Sequence, residues 1–542
     1  MSNFNKIKSQ IFLPTAIVLS ITMGVLISKI YYKNLGFIGR FTGNSKENKL
    51  NTILKFVENN YVDKVSMDSL QEIAVSSFLE QLDPHTVYLN PQQAKQASEE
   101  LLGNFEGIGI QFNVFKDTIF VVKTIENGPS FYAGILAGDR IVNVNDSLVA
   151  GVGIKNDEVM KLLKGTGGTI VKLSIKRRSL EEPIEITVKR GQIPLQSIDA
   201  SYILKNKEIG YIKISSFSRN TYYDFRNKLL YMKENGVKSV IVDLRDNGGG
   251  YLESAVNMLD EFFTSGSTIV VTKGKTSGKR TIKSTNAKQT FSDIKLVVLI
   301  NEFSASASEI FAGAIQDNDR GFIIGRRSFG KGLVQEEVKF DDGSVLRLTV
   351  SRYYTPSGRC IQKPYSKGKN DYNEDILNRY IHGEFSYKDS IIYNDTTSYF
   401  TLSGRKVFGG GGIMPDIFVP VDTSTYSKML AKINEKNLCY NFALQFVDDY
   451  RQNLKSVTKL NDLNNFIINY NTYQKFWNYV RDNKIQINDN DLYKSKTYIE
   501  NLVKAYIARQ ILSEDDFYQV FNSNDKTMDK AVEVIVKKQR LF

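Results

Sequence analysis

Histidine and cysteine are nearly absent from this chain. His85 and His382, with Cys360 and Cys439, are all it has in 542 residues, and Trp477 is its one tryptophan. Two cysteines in segments that belong to different domains support neither a disulfide framework nor a Cys/His zinc site. Two histidines, one in an Asp-Pro turn and one in a polar loop, leave a Ser–His–Asp triad poorly supplied. There is no G-x-S-x-G elbow, no H-E-x-x-H pair and no internal repeat. Charge of one sign is not gathered either. The net charge of +12 comes from 71 bases scattered among 59 acids, which suits solubility and attraction to anionic surfaces before nucleic acid. No cofactor is called for. A hydrophobic fraction of 42% suits a folded, largely soluble protein of several domains.

A long apolar run stands at the amino terminus, from Ile11 to Ile27, broken by Pro14, Thr15, Ser20, Thr22 and Gly24, with Lys6 and Lys8 before it. This predicts a signal peptide or a membrane anchor over 1–33. The absence of an A-x-A site favours an uncleaved anchor with the body exported. Lys29, Lys33 and Arg40 on the far side weaken that orientation. Residues 47–103 carry helical spacing (Ile53, Leu54, Val57, Tyr61; Leu70, Ile73, Ala74, Phe78). They also hold the turn Asp83-Pro84-His85-Thr86, where a structural role for His85 is expected.

Residues 104–191 change to short strands between glycine turns, with one helix at Lys155 to Leu163. Residues 193–422 alternate strand and helix, with a glycine turn at Arg245-Asp246-Asn247-Gly248-Gly249-Gly250 and a hairpin about Asp341-Asp342-Gly343. The stretch Gln362 to Thr396 reads as a polar loop. Residues 423–542 read as a helical extension without a motif. Its Ser456-Val457-Thr458-Lys459 matches S-x-x-K by chance alone.

The chemistry concentrates between Asn301 and Gln335. Ser306 lies at the mouth of a helix, and a nucleophilic serine needs a base. With histidine scarce, Lys331 between Gly330 and Gly332 is the candidate, because burial disfavours its charged form and moves it toward a useful base. Gln335, two strand periods on, projects to the same side and can fix the amine's direction. The helix after Ser306 supplies N–H groups and a positive dipole end suited to an oxyanion, and the glycine turn can add a second donor.

Three marks in the strand-rich segment resemble a PDZ domain: Gly107-Ile108-Gly109-Ile110, Pro129 to Gly134 and Gly138-Asp139-Arg140-Ile141. The resemblance implies that the loop Gly107, Ile108, Gly109, Ile110 offers N–H groups to a peptide's terminal carboxylate, the peptide adding as a strand. Ser304-Ala305-Ser306-Ala307-Ser308-Glu309, Phe329-Gly330-Lys331-Gly332 with Gln335, Asp243 to Gly250 and Tyr353 to Arg359 resemble the carboxy-terminal processing peptidases, or tail-specific proteases. What this implies is an α/β multidomain protein. It has a crotonase-like catalytic core, a PDZ domain, flanking helical segments and the amino-terminal anchor. Ser306 would be nucleophile, Lys331 base and Gln335 its orienter, with Ala307 N–H and Gly250 (Gly249 next) as the oxyanion hole. The family cuts proteins with exposed apolar carboxy termini outside the cytoplasm, here on the periplasmic side of the inner membrane. Nucleic acid is not an expected partner; an adaptor or a homo-oligomer is left open.

The rival readings are specific. Ser306-x-x-Glu309 is also a capping box, so Ser306 could merely cap its helix. Ser304, Ser308 and Ser328 (with Lys331, a second S-x-x-K) compete as nucleophile. Gly325 to Gly332 nearly spells a P-loop but ends in glycine before a strand. A non-catalytic PDZ scaffold on a degenerate protease fold is the alternative function.

Overall fold

The computed structural model describes residues 20–28, 49–205, 208–287, 290–392 and 397–537. Most of the expected anchor, 1–33, lies outside these residues. Residues 20–28 are helical, and among the described residues no helix is long and apolar enough to cross a membrane. The chain divides into two units, 1–74 and 75–542. The first contains helix Lys49–Asn60, with Ile53, Leu54 and Val57 at helical spacing.

In the second unit, strands Ile110–Val114, Ile119–Thr124, Arg140–Val144, Ile170–Lys176 and Ile184–Lys189 form an antiparallel sheet in that order. Period-two alternation sends Val171, Leu173 and Ile175 into a core shared with Ile119, Val121 and Ile141, which helix Asn156–Leu163 closes with Val159 and Leu163. The chain enters and leaves this domain through a two-stranded stem, Asn104–Gly107 paired with Gly191–Pro194.

The larger α/β domain is built on six strands in the order Ile198–Ile203, Ile209–Ile214, Ser239–Asp243, Lys295–Ile300, Gly321–Gly325 and Ile417–Phe418. All neighbours but the first pair are parallel. Parallel strands covered on both faces read as unbroken apolar runs, as Ser239–Asp243 and Lys295–Ile300 do. Val240, Val242, Leu296 and Val298 meet helices Thr221–Glu234, Leu252–Asp260 and Ala307–Asp317 on one face. Ile241, Val297 and Leu299 point to the other. A second sheet centres on Val345–Tyr354, which pairs with Val87–Leu89, Thr268–Gly274 and Leu333–Lys339. Two turns at the ends of parallel strands, 244–250 and 301–306, therefore lie at one sheet edge.

Three elements differ from the sequence expectation. The polar stretch after Gln362 contains helix Lys369–Ile381. It has no apolar stripe to announce it, since Leu377 and Ile381 are exposed. Polar ties hold it: Arg379 donates to the carbonyls of Arg327 and Ser328, and Lys363 donates to the Tyr372 carbonyl at 3.0 Å. Strand Ile198–Ile203 and hairpin Thr268–Gly274/Gly278–Lys283 are sheet elements that composition hides, the second half of the hairpin being almost wholly charged and polar. The extension past residue 422 does not stay apart. Its last helix, Lys526–Val536, lays Met528, Ala531 and Val534 on the second face of the parallel sheet.

Ala531 is fully buried there. Ala531→Asp should therefore place an unpaired carboxylate in a dry core and destabilise the α/β domain by roughly 3–5 kcal/mol. Denaturant titration followed by circular dichroism measures this; an unchanged midpoint contradicts the packing.

Candidate active site

The loop between strand Lys295–Ile300 and helix Ala307–Asp317 is laced to the glycine turn. Ser304 Oγ donates to the Leu244 carbonyl at 2.8 Å, Ser308 Oγ to that of Asn247 at 2.9 Å, and Ala305 N–H to the same oxygen at 3.0 Å. Asn301 and Asp246 pair through Asn301 Nδ2 at 2.8 Å. Between these anchored neighbours Ser306 is half-buried and holds φ 56° and ψ −114°. A non-glycine residue at positive φ costs about 1–3 kcal/mol, and such strain gathers at functional sites.

The glycine turn packs directly on it. A Cβ added to Gly249 (φ 104°) would stand 2.7 Å from Ser306 Cβ and 3.0 Å from the Ala307 nitrogen. One added to Gly250 would collide with the Phe217 carbonyl. Asn247 Oδ1 accepts the Gly249 N–H at 2.8 Å. Among the described residues the N–H groups of Ala307 and Gly250 make no hydrogen bond.

Glu309, fully buried, joins this loop to the lysine turn. One carboxylate oxygen accepts Ser306 N–H at 2.9 Å and Lys331 N–H at 2.8 Å; the other accepts Gly330 N–H at 2.7 Å and Ser328 Oγ at 2.5 Å. Burial pushes the Glu309 carboxyl up in pKa, and the four donors oppose that. The Tyr353 hydroxyl makes a second staple, within hydrogen-bond reach of the Ser306 carbonyl at 3.0 Å and of the Lys331 carbonyl.

The Lys331 amine is held below the usual lysine range, first by burial and then by the Arg347 charge, against the carboxylates of Glu309 and Asp83. Lys331 Nζ donates to Gln335 Oε1 at 3.2 Å, and Gln335 Nε2 donates to the His85 carbonyl. That second bond sets which end of the carboxamide faces the amine. The turn behind it is rigid: Asp83 accepts the N–H groups of His85 at 2.9 Å and Thr86 at 3.0 Å. His85 Nε2 meets the Tyr372 hydroxyl at 2.7 Å. Burial, then the Lys331 charge, pushes His85 down to about 4, so its imidazole is neutral in ordinary buffers. His85 thus serves the site through its backbone. Among the described residues no hydrogen bond joins Ser306 Oγ to Lys331 Nζ; Glu309 and Tyr353 hold the two backbones together instead.

The structure brings Ser306, Ala307, Gly250, Lys331 and Gln335 into this one cluster. Gly107, Ile108, Gly109 and Ile110 lie outside it, in the small β-domain. The rival serines are tied down. Ser304 and Ser308 are fully buried donors, and Ser328, also buried, donates to Glu309 and accepts Ile413 N–H at 2.6 Å. Ser456 and Lys459 are exposed in the extension. Glu309 carries half of the expected capping box and, beyond it, the lysine turn. This role, with those of Arg347 and the His85 carbonyl, had no sequence signal of its own except the Asp-Pro-His-Thr turn, and Tyr353 was marked only as part of the Tyr353 to Arg359 stretch. Among the described residues no group of three or more His, Cys, Asp or Glu is placed to hold a metal.

Comparison with known proteins matches residues 208–373 to peptidase family S41, residues 107–188 to the PDZ domain and residues 429–513 to a family of unknown function. The chain is similar to the carboxy-terminal processing protease CtpA of Bacillus subtilis (strain 168). They are 34% identical over 330 residues, spanning 61% of this chain and 69% of that protein. It is similar also to a probable CtpA-like serine protease of Staphylococcus haemolyticus, at 33% over 351 residues, 64% of this chain and 68% of that one. Among solved structures, a photosystem II D1 C-terminal processing protease aligns with 69% of this chain and 93% of its own at 24% identity and a TM-score of 0.34.

Glu309→Gln keeps the shape but turns an acceptor into a donor facing two other donors. It should cost about 3 kcal/mol, lowering the unfolding midpoint of the α/β domain by roughly 6–12 °C. Calorimetry checks this; a midpoint within 2 °C of the parent would remove Glu309 from its place as the staple.

Proposed function

The chain belongs to the carboxy-terminal processing proteases, serine peptidases of family S41 that carry a PDZ domain, and from this we propose that Ser306 is the nucleophile, Lys331 its general base and Gln335 the group that orients the lysine. The observation that carries the reading is the Glu309 carboxylate, which gathers Ser306 and Lys331 while fixing Ser328 as a buried donor. That leaves one half-buried serine beside a partly desolvated amine.

Neutral Lys331 takes the Ser306 hydroxyl proton as Oγ attacks the scissile carbonyl. The tetrahedral oxyanion is received by the N–H groups of Ala307 and Gly250, both without other partners among the described residues, at the positive end of an eleven-residue helix. The ammonium then gives its proton to the departing amine, leaving an ester on Ser306. Water, deprotonated by the same lysine, hydrolyses that ester and frees a new carboxylate. Gln335 Oε1 keeps the amine aimed through both halves, and substrate binding brings Oγ and Nζ into contact.

The PDZ domain holds the substrate's tail. Among the described residues strand Ile110–Val114 is an edge strand, bonded only to Ile119–Thr124, so an extended peptide can add beside it. The N–H groups of Ile108 and Gly109 make no hydrogen bond among the described residues and suit a terminal carboxylate. The crotonase-like character of the core belongs to the same proposal, supported by parallel strands covered by helices and a second sheet beside them. So does export to the outer side of the membrane on an amino-terminal anchor, supported by the apolar run and its preceding lysines.

Digestion of an unfolded protein with an apolar carboxy terminus, using residues 35–542, tests this directly. Cleavage by the parent, with loss of roughly 10³-fold or more in Ser306→Ala and Lys331→Ala, is expected. Cleavage surviving in Ser306→Ala sinks the assignment, and no cleavage by any form brings the PDZ scaffold forward. The pH profile has a sign. A base must be neutral, so kcat/KM rises with pH through the depressed Lys331 pKa. Removing the Arg347 cation raises that pKa, so in Arg347→Gln the rising limb moves to higher pH. A limb that stays put would separate it from Lys331.

A further inference from the structure

Strand Ile119–Thr124 of the PDZ domain begins Ile-Phe-Val-Val, and both its faces are apolar. Ile119 and Val121 fill the PDZ core. Phe120 and Val122 point the other way and are nonetheless 3% and 8% exposed. A half-solvated antiparallel strand would alternate apolar with polar, so something covers the second face. The cover comes from the carboxy-terminal extension: Leu444, on helix Leu438–Asp449, packs on Phe120 and Val122 with Phe115 and Tyr440 at the margin.

Charges ring this contact with matching signs. Arg140 pairs with Asp448 at 2.6 Å, Arg178 donates to the Asp448 carbonyl at 2.8 Å and to Asp449 at 3.3 Å, and Lys123 pairs with Glu514 at 3.3 Å. The Arg451 guanidinium lies against Gly138, where an added Cβ would meet it at 2.8 Å. Among the described residues, every side-chain hydrogen bond or ion pair leaving residues 108–190 ends on the extension, except Lys164 to Glu99. None reaches 198–422. The other end of the extension is fixed to the protease. Asp515 accepts Ser201 N–H at 2.7 Å, Asp525 pairs with Arg245 at the start of the glycine turn at 2.5 Å, and helix Lys526–Val536 covers the parallel sheet.

We propose that the extension, including the segment 429–513 that matches a family of unknown function, is a brace that holds the PDZ domain in one orientation on the protease. Without it the PDZ body is tied only through the stem Asn104–Gly107/Gly191–Pro194 and the Lys164–Glu99 pair among the described residues. With it, a tail added to strand Ile110–Val114 approaches Ser306 from a fixed direction. The brace combines a small apolar seat with half-exposed ion pairs, so raised salt weakens the second part and leaves the first.

The test uses residues 35–542 in two versions. In a Ser306→Ala background, which cannot cut itself, hydrogen exchange is compared between the parent, Leu444→Asp, and the surface variant Lys123→Glu/Arg178→Glu. Faster exchange in Ile119–Thr124 and in the stem, with the α/β core unchanged, is expected in both variants. In the Ser306 background the same variants should label with a serine-reactive fluorophosphonate at the parent rate. They should cleave an unfolded tail-bearing protein at least threefold less efficiently, through KM. Parent-like exchange at the strand and stem in the charge-reversed variant, whose replaced side chains are half-buried (Lys123) and exposed (Arg178) and lie outside the core, overturns the brace. Failure of labelling in the parent itself would instead count against the proposed catalytic serine and leave the exchange result standing.

Discussion

A single buried carboxylate carries this site. Glu309 is wholly removed from water, and an ion so placed survives only if donors replace its hydration. The chain supplies four, and they come from both sides of the cleft: Ser306 N–H from its own helix end, and Ser328, Gly330 and Lys331 from the turn after the next strand. The need to satisfy one desolvated charge thus fixes the relative position of two loops that are about twenty residues apart in sequence. The geometry is over-determined by Tyr353 from the second sheet, which touches both carbonyls. Such redundancy is what allows Ser306 to keep its positive φ.

The sequence made the chemistry legible before the architecture. Ser306, Lys331 and Gln335 could be singled out because histidine was scarce and because strand periodicity places residues 331 and 335 on one side. The glycine turn was visible as turn chemistry. Glu309 was legible as a capping residue and as the end of the Ser304 to Glu309 motif, but not as the staple, since its partners Gly330 and Lys331 are backbone donors that no side-chain pattern reveals. The role of His85 was hidden for the same reason: its carbonyl orients Gln335, and a carbonyl has no sequence signature. Helix Lys369–Ile381 escaped because ion pairs and backbone caps, rather than an apolar stripe, hold it down.

The extension separates two criteria, where composition changes and where burial ends. Residues after 422 are helical and rich in lysine, asparagine and tyrosine, and by pattern they form a body of their own. They have one, built around Phe442, Phe466, Phe476 and Trp477. Yet the parallel sheet has two apolar faces, and helices from 221–317 cover only one. Ile241, Val297 and Leu299 required a partner, and the last helix of the chain is that partner. The Ile-Phe-Val-Val run of the PDZ strand made a similar demand for Leu444. Both contacts could have been anticipated by asking what covers the second face of each unbroken apolar strand.

The lysine imposes the last constraint. A base with an amine head must be largely neutral to act, so every nearby negative charge works against it. Glu309 and Asp83 both stand close enough to raise its pKa. Glu309 is partly countered by its four donors, and Asp83 is committed to the His85–Thr86 turn and to Thr349. The group that touches the amine is a carboxamide, which can accept from Nζ without adding a charge. A carboxylate at position 335 would hold Lys331 as an ammonium and would lose the N–H that bonds the His85 carbonyl. Arg347, on the neighbouring strand opposite Glu337, pushes the same way as burial. Neutral acceptor, neighbouring cation and desolvation therefore act together, and the pairing of a lysine with a glutamine rather than an acid follows from the proton the base must be free to take.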